Sequence, residues 1–256
     1  MDAQVPPSGV ARRTLLVESF LVLGVGLGAS AVWAVLSIVR RLTDPVALSR
    51  QTSSLNASVT PDRPWLDLAY QLAGVVLPLF PALLAVHLLA RDGVGPSRIG
   101  VDLRRPGGDL WRGALLAAAV GLPGLAFYVA ARQWGINTTV SAAGLGQVWW
   151  AVPVLILSAV KNAVVEEVVM VGYLMTRWRQ AGWSLCWVVG LSSVIRGAYH
   201  LYQGFGGFLG NIAMGVLFGW VFARWGRVMP LVVAHTLLDV VAFVGYALLR
   251  GQVSWL

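Results

Sequence analysis

Seven long apolar stretches dominate this sequence and restrict what it can fold into. They occupy residues 15–39, 65–90, 110–131, 148–176, 184–202, 208–223 and 230–249. A bilayer core of roughly 30 Å requires about 20 mainly apolar residues in helical form, and most of these stretches reach or approach that length. Because 57% of the residues are hydrophobic and only 12% are charged, a soluble domain is excluded. The sequence predicts an all-α, polytopic transmembrane helical bundle of about seven helices, or eight if residues 40–64 hold a further short helix.

The basic residues indicate how the chain is oriented. Lys and Arg number 19 against 11 acids, but they lie between the apolar stretches and form no continuous stripe, so we expect no nucleic-acid partner. With a cytoplasmic N-terminus, the inside segments would hold Arg12, Arg13, Arg91, Arg98, Arg104, Arg105, Arg112, Arg177, Arg179, Arg224 and Arg227, and the outside segments Arg40, Arg41, Arg50, Arg63, Arg132 and Arg250. The excess on the first side favours a cytoplasmic N-terminus.

The first apolar stretch follows two arginines, as a signal peptide would, but it is longer than a signal-peptide core. We therefore interpret it as a retained transmembrane helix. The use of arginine almost to the exclusion of lysine is typical of a GC-rich coding sequence, which favours a bacterial source and a bacterial plasma membrane. The oligomeric state has no signature in the sequence.

No soluble stretch is long enough to bury a core of its own, so residues 1–256 are predicted to form a single membrane domain. The polar connection at residues 91–109 is predicted to lie at the interface, with membrane lipid headgroups near its arginines. Gly24-x-x-x-Gly28 and Gly215-x-x-x-Gly219 place small residues on one helix face, a pattern typical of close helix packing in membranes.

Deep within the apolar stretches lies a small set of ionisable residues. Each costs about 2.5–3.5 kcal/mol on insertion scales, so a functional reason is expected for those that persist. They are Lys161, Glu166, Glu167, Arg196, His200, His235 and Asp239. All of them lie in the last 100 residues, which predicts one common site.

The residue types in this set suit hydrolysis. A carboxylate and an imidazole that converge on a water molecule can act as a general base, and a second imidazole can stabilise an oxyanion. The same set could instead hold a divalent metal such as zinc, with Glu166, His200 and His235 as ligands and an open coordination position. The residues alone leave both alternatives open. Other catalytic motifs, such as a nucleophile elbow or a phosphate loop, are absent from the sequence.

Around these residues the sequence resembles the CPBP family of intramembrane proteases, the CAAX-protease and bacteriocin-processing (Abi) group. The family motifs are Glu-Glu-x-x-x-Arg, Phe-x-x-x-His and His-x-x-x-Asn/Asp. Residues 166–171 (EEVVMV), 196–200 (RGAYH) and 235–239 (HTLLD) are similar to the three in order. The resemblance covers residues 145–245 and implies that this segment forms the catalytic core helices.

The resemblance also implies roles for the residues. Glu166 and His200 would activate water, Glu167 would support them, and His235 with Asp239 would form the oxyanion site. A negative Asp239 would repel an oxyanion, so it would be either protonated or used to orient His235. The substrate would be a membrane-tethered peptide or protein.

Two positions depart from the family pattern, because Val171 replaces the arginine of the first motif and Arg196 replaces the phenylalanine of the second. In an α-helix, an arginine at position 171 would lie one turn from Glu167 and could pair with it. We predict that Arg196 reaches across from the neighbouring helix to supply that charge.

Two other classes of function also fit such a polar cluster. A non-catalytic scaffold or bacteriocin-immunity protein could use the charges to lock its helices together. A proton- or ion-coupled transporter could use them as a relay, although the sequence shows no inverted repeat of broken helices.

Overall fold

A computed structural model describes residues 9–249, and helices account for most of them. The helices are α1 (Arg12–Gly24), α2 (Leu27–Leu42), α3 (Pro64–Val76), α4 (Phe80–Arg91), α5 (Pro106–Gln133), α6 (Ala151–Glu166), a π-helix (Glu167–Tyr173), α7 (Leu174–Gln180), α8 (Leu185–Ala198), α9 (Phe205–Trp225) and α10 (Met229–Leu249). Four short 3-10 turns and two strands of three residues, β1 (Thr52–Ser54) and β2 (Thr139–Ser141), are the other regular elements of the described residues. The predicted all-α helical bundle is confirmed.

Fewer segments qualify as membrane spans than the seven predicted. By length and hydropathy, four described segments can cross a membrane, namely Pro64–Arg91, Pro106–Gln133, Phe205–Trp225 and Met229–Leu249, and the bent pair α1–α2 makes a fifth. Two predicted spans differ for identifiable reasons. Helix α6 has only 16 residues before it runs directly into the π-helix, and α8 has only 14 residues.

Glycines at residues 24–28 bend the first span rather than flattening one face of it. Helices α1 and α2 meet at 55°. A Cβ atom at Gly28 would lie 2.8 Å from the carbonyl oxygen of Leu23, and one at Gly26 would lie 3.2 Å from the side chain of Pro81. A side chain at either position would oppose the bend, so the span predicted at residues 15–39 consists of two helices joined at a break.

The second glycine pair does bring two helices together. A Cβ atom at Gly215 on α9 would lie 2.9 Å from the hydroxyl of Ser193 on α8, and one at Gly219 would lie 3.2 Å from Val189. The predicted packing role of this pair is therefore confirmed. It seats α9 against the helix that carries Arg196.

Residues 40–64 hold no helix longer than the 3-10 turn Leu48–Arg50, so an eighth helix there is excluded. Strand β1 instead pairs in parallel with β2, with Thr52 opposite Thr139. The two connections that carry these strands thus pack against each other at one end of the bundle. Arg250, counted in the charge comparison above, lies outside the described residues.

At the opposite end, the connection before α5 is tied to the turn between α9 and α10. Arg227 donates to Asp109 Oδ1 from Nε at 2.9 Å and to Asp102 Oδ1 from Nη2 at 3.0 Å. The hydrogen bond from Arg227 holds the pKa of Asp102 below its usual value. Gly100 lies against the backbone of Arg227 and accepts the amide proton of Met229.

The contact at Gly100 supports a prediction about stability. Gly100 has φ +66°, and an added Cβ would lie 2.5 Å from the Cα of Arg227. We expect Gly100→Ala to cost about 2–5 kcal/mol, since a left-handed backbone costs about 1–2 kcal/mol and overpacking about 1–3 kcal/mol. Gly93 is the matched control, because it also has positive φ (+80°) but open space around it. Thermal unfolding in detergent should show the larger loss for Gly100→Ala. Equal losses for the two variants would contradict the clash.

Candidate active site

The two adjacent glutamates lie where an α-helix changes to a π-helix. Glu166 ends α6 and Glu167 begins the π-helix, and both side chains are buried, with exposures of 9% and 0%. The wider π turn frees backbone groups from the α-helical pattern, and short π segments are frequent at functional sites. The hydroxyl of Ser192 on α8 donates to the carbonyl of Met170 at 2.9 Å and so fastens this segment to its neighbour.

Arg196 lies between the two glutamates. Its Nη1 donates to Glu167 Oε2 at 3.2 Å, its Nη2 donates to Glu166 Oε2 at 3.3 Å, and Nη2 also forms a very short contact with Glu167 Oε1. The side chain is only 1% exposed, and its guanidinium lies 5.5 Å from the ring centre of Phe218. The predicted pairing of Arg196 with Glu167 is confirmed, and the arginine contacts Glu166 as well.

Val171 does not occupy the position, one α-helical turn from Glu167, that the sequence pattern suggested. It lies inside the π-helix, where the hydrogen-bond register is one residue longer than in an α-helix, and it is buried in the apolar core. The permanent counter-charge for the glutamates therefore comes from Arg196 on α8, while His235 on α10 contacts Glu167 and adds a charge only when it is protonated.

Gly197 allows α8 to end close to α9 and to present His200. A Cβ atom there would lie 2.8 Å from the carbonyl oxygen of Phe208. Helix α8 stops at Ala198, so His200 follows the helix instead of lying on it as predicted. Its Nδ1 lies 3.0 Å from the carbonyl oxygen of Arg196. Because a carbonyl can only accept, Nδ1 carries the proton and Nε2 of the neutral ring keeps its lone pair.

His235 lies between two carboxylates. Its Nδ1 donates to Glu167 Oε1 at 2.7 Å, and its Nε2 lies 3.7 Å from Asp239 Oδ1, one turn further along α10. Arg196 Nη2 is 3.3 Å from the same Nδ1, so side chains from α8 and α10 meet at this ring.

Two polar residues in the cluster were missed by sequence reasoning. The hydroxyl of Tyr199 donates to Glu166 Oε2 at 2.8 Å, and Asn162 Nδ2 donates to Asp239 Oδ2 at 3.0 Å. The signals were present, since Tyr199 precedes His200 and Asn162 lies four residues before Glu166 inside an apolar span. Neither residue is charged at neutral pH, so neither belongs to the set of ionisable residues from which the site was predicted.

The connections at the strand end of the bundle hold the segment that carries His200. Thr138 donates its amide to the carbonyl of Gln203 at 2.9 Å, and Ser53 donates its hydroxyl to the carbonyl of Tyr202 at 2.8 Å. Asn137 Oδ1 accepts the amide proton of Gly207 at 2.9 Å. These bonds fix the short turn between α8 and α9, in which His200 lies.

A metal does not fit the cluster as it is arranged. Within residues 9–249, no three His, Cys, Asp or Glu side chains are placed to hold a metal ion together. The permanently charged guanidinium of Arg196 already contacts both glutamates. A divalent ion bound to Glu166 would therefore face a second cation at hydrogen-bonding distance from its own ligand.

Comparison with known proteins places the cluster within a family. Residues 147–241 match the family described as type II CAAX prenyl endopeptidase Rce1-like. Neither the curated proteins nor the solved structures gave a significant match. The matched region contains all three predicted motifs. Residues 147–241 thus carry the Rce1-like pattern, which confirms the resemblance that the motifs predict. Together with the long apolar helices, the match points to an integral membrane protein and supports a CAAX-type intramembrane endopeptidase in general.

Proposed function

We propose that this protein hydrolyses a peptide bond of a membrane-tethered peptide or protein, using water activated by Glu166 and His200. The observation that carries the proposal is the set of free acceptors at these two residues. Glu166 binds Tyr199 and Arg196 through Oε2, while no described residue donates to its Oε1. His200 keeps Nε2 as an acceptor because Nδ1 is used by the backbone.

Glu167 has a different role from its neighbour. Both of its oxygens are occupied, Oε1 by His235 and Arg196 and Oε2 by Arg196. A carboxylate whose two oxygens both accept from cationic or imidazole donors is less well placed to take a proton from water than Glu166, whose Oε1 accepts from no described residue. Glu167 therefore serves to hold Arg196 and His235, and Glu166 serves as the base.

His235 is the candidate donor to the oxyanion. Its Nδ1–H is committed to Glu167, and its Nε2 is not within hydrogen-bonding distance of Asp239. In the doubly protonated ring, Nε2–H is thus the donor available to a tetrahedral intermediate. Donors placed in advance in a site shielded from water stabilise such an oxyanion more strongly than water does.

The reaction balances without a covalent intermediate on the protein. Glu166, with His200, takes a proton from water as the oxygen bonds to the carbonyl carbon of the substrate. The resulting oxyanion accepts from His235, the carbon–nitrogen bond breaks, and the proton passes to the leaving amine. Glu166 Oε1 and His200 Nε2 have no competing protein partner in the described contacts, and His235 Nε2 faces only Asp239 Oδ1, at 3.7 Å.

The outer surface of the protein suits a substrate that arrives within the bilayer. Large apolar side chains on the outside are exposed, among them Trp33, Leu122 and Trp187 at 71%, 75% and 74%. The exposed Arg98, Arg104 and Arg105 lie in the connection before α5, where they can contact lipid headgroups. Membrane lipids and a membrane-tethered peptide or protein substrate are the partners that this surface favours.

The ion pairs themselves favour a second candidate. A guanidinium that bridges two buried carboxylates could serve only to lock α6, α8 and α10 together, as in a non-catalytic scaffold or bacteriocin-immunity protein. Such a role would require Arg196 and Glu167 but would not require the free acceptors of Glu166 and His200.

The deciding experiment compares termini of membrane proteins between cells carrying the wild type and cells carrying Glu166→Gln. A farnesylated peptide ending in a CAAX sequence serves as the purified-protein probe, because the matched family is described as acting on such ends. We expect termini that disappear in the variant. Identical termini, together with an unchanged cellular phenotype, would favour the scaffold.

A further inference from the structure

A line of polar side chains leads from the catalytic cluster to the only lysine in the sequence. Lys161 Nζ donates to Asn162 Oδ1, and Asn162 Nδ2 donates to Asp239 Oδ2 at 3.0 Å. The other oxygen of Asp239 faces His235 Nε2 at 3.7 Å. Lys161 lies within α6 and has no carboxylate at salt-bridge distance among the described residues.

The direction of each hydrogen bond follows from the chemistry of the groups. An ammonium can only donate, so Lys161 must face the carbonyl oxygen of the Asn162 amide. That choice turns the amide nitrogen, which can only donate, towards Asp239. Asp239 is then required to accept, which an ionised carboxylate does with either oxygen. The charge of Lys161 thus determines which end of the amide Asp239 meets.

These hydrogen bonds also constrain the third motif, His235 to Asp239. With Oδ2 held by Asn162, the carboxylate of Asp239 cannot rotate freely, and its Oδ1 stays beside His235. Asn162 lies on α6 and Asp239 on α10, so the bond also sets the spacing of these two helices next to the glutamates. Of the two roles considered for Asp239, orientation of His235 is the one that this geometry favours.

We propose that Lys161 and Asn162 are positioning residues that act through Asp239 to orient the imidazole of His235. The proposal rests on the proposed function for its catalytic meaning, although the orientation itself can be observed without any substrate. Asn162 donates the hydrogen bond to Asp239, and Lys161 determines which end of the Asn162 amide faces Asp239.

The test uses nuclear magnetic resonance of the full chain in detergent micelles, with ¹⁵N-labelled histidine. The chain has three histidines, His87, His200 and His235, so three Gln variants assign the ring signals. We expect Asn162→Asp, which removes the donor and adds a negative charge at equal size, to shift the Nε2 signal of His235. Lys161→Met should shift it in part, and Lys161→Arg should restore it, since a guanidinium also only donates.

His87 is the internal control because it lies on α4, outside the cluster, and Val160→Ala is the control for a neutral change on α6. Neither should alter the spectrum of His235. An unchanged His235 signal in both Asn162→Asp and Lys161→Met would overturn the proposal. If one variant does not fold, the other is decisive.

Kinetics separate this proposal from the proposed function. With the farnesylated CAAX peptide, Asn162→Asp should lower kcat by about 10–10²-fold with KM nearly unchanged, as expected for a misplaced catalytic group. If the wild type cleaves no peptide, the proposed function is contradicted. The NMR signal of His235 then tests the positioning role by itself. An active wild type whose kcat is unaffected by Asn162→Asp would contradict the positioning role.

Discussion

Replacing Glu166 with glutamine is expected to reduce peptide hydrolysis by about 10²–10⁴-fold, the usual contribution of a general base. The amide keeps the shape of the side chain and an oxygen that can accept from Tyr199, so insertion and folding should be retained. Cleavage of the farnesylated CAAX peptide by purified protein in detergent measures the effect. His200→Ala and His235→Ala should cause losses of similar size.

Asp92→Asn is the matched control for this prediction. Asp92 is a partly buried acid that accepts from the buried Arg177 at 2.7 Å, but it directly follows α4 and lies outside the cluster. It should change stability and leave the rate of the folded protein nearly unaltered. Activity that survives any two of the three site substitutions would rule out the proposed site.

Replacing Arg196 with alanine is expected to lower both stability and activity. The arginine is the only guanidinium in contact with Glu166 and Glu167 among the described residues, and it is 1% exposed. Removing one partner of a buried ion pair typically costs about 3–5 kcal/mol, because the remaining charge is left without compensation. Without that cation, the two glutamates should not both remain ionised, and the base would be lost.

Arg177→Ala separates the two effects of this change. Arg177 is also fully buried and pairs with Asp92 and Glu18, but it lies beyond the π-helix on α7. We expect a comparable loss of thermal stability with the rate per folded molecule retained. If Arg196→Ala is as active as Arg177→Ala, then Arg196 is a structural residue and our account of the departure from the family motif is wrong.

The sequence by itself determined the class of fold and the family. Burying ionisable groups in apolar helices is costly, so the few that remain mark a site without any structure, and the three motifs they form are local in sequence. Residues 147–241 match the family model for this reason. The pairing of Arg196 with Glu167 was also predictable, since two buried carboxylates need a cation and few were available.

Only the tertiary structure decided how the site is built. Amino-acid composition does not specify the register of the backbone hydrogen bonds within a helix. The π-helix at Glu167 and the bend between α1 and α2 were therefore not predicted. The contact between Asn162 and Asp239 joins residues 77 positions apart, and neutral polar groups give no signal of charge. Which ring nitrogen of His200 carries the proton depends on the carbonyl of Arg196, near the end of α8. Such features follow from packing between helices, and a linear sequence specifies them only through the folded structure.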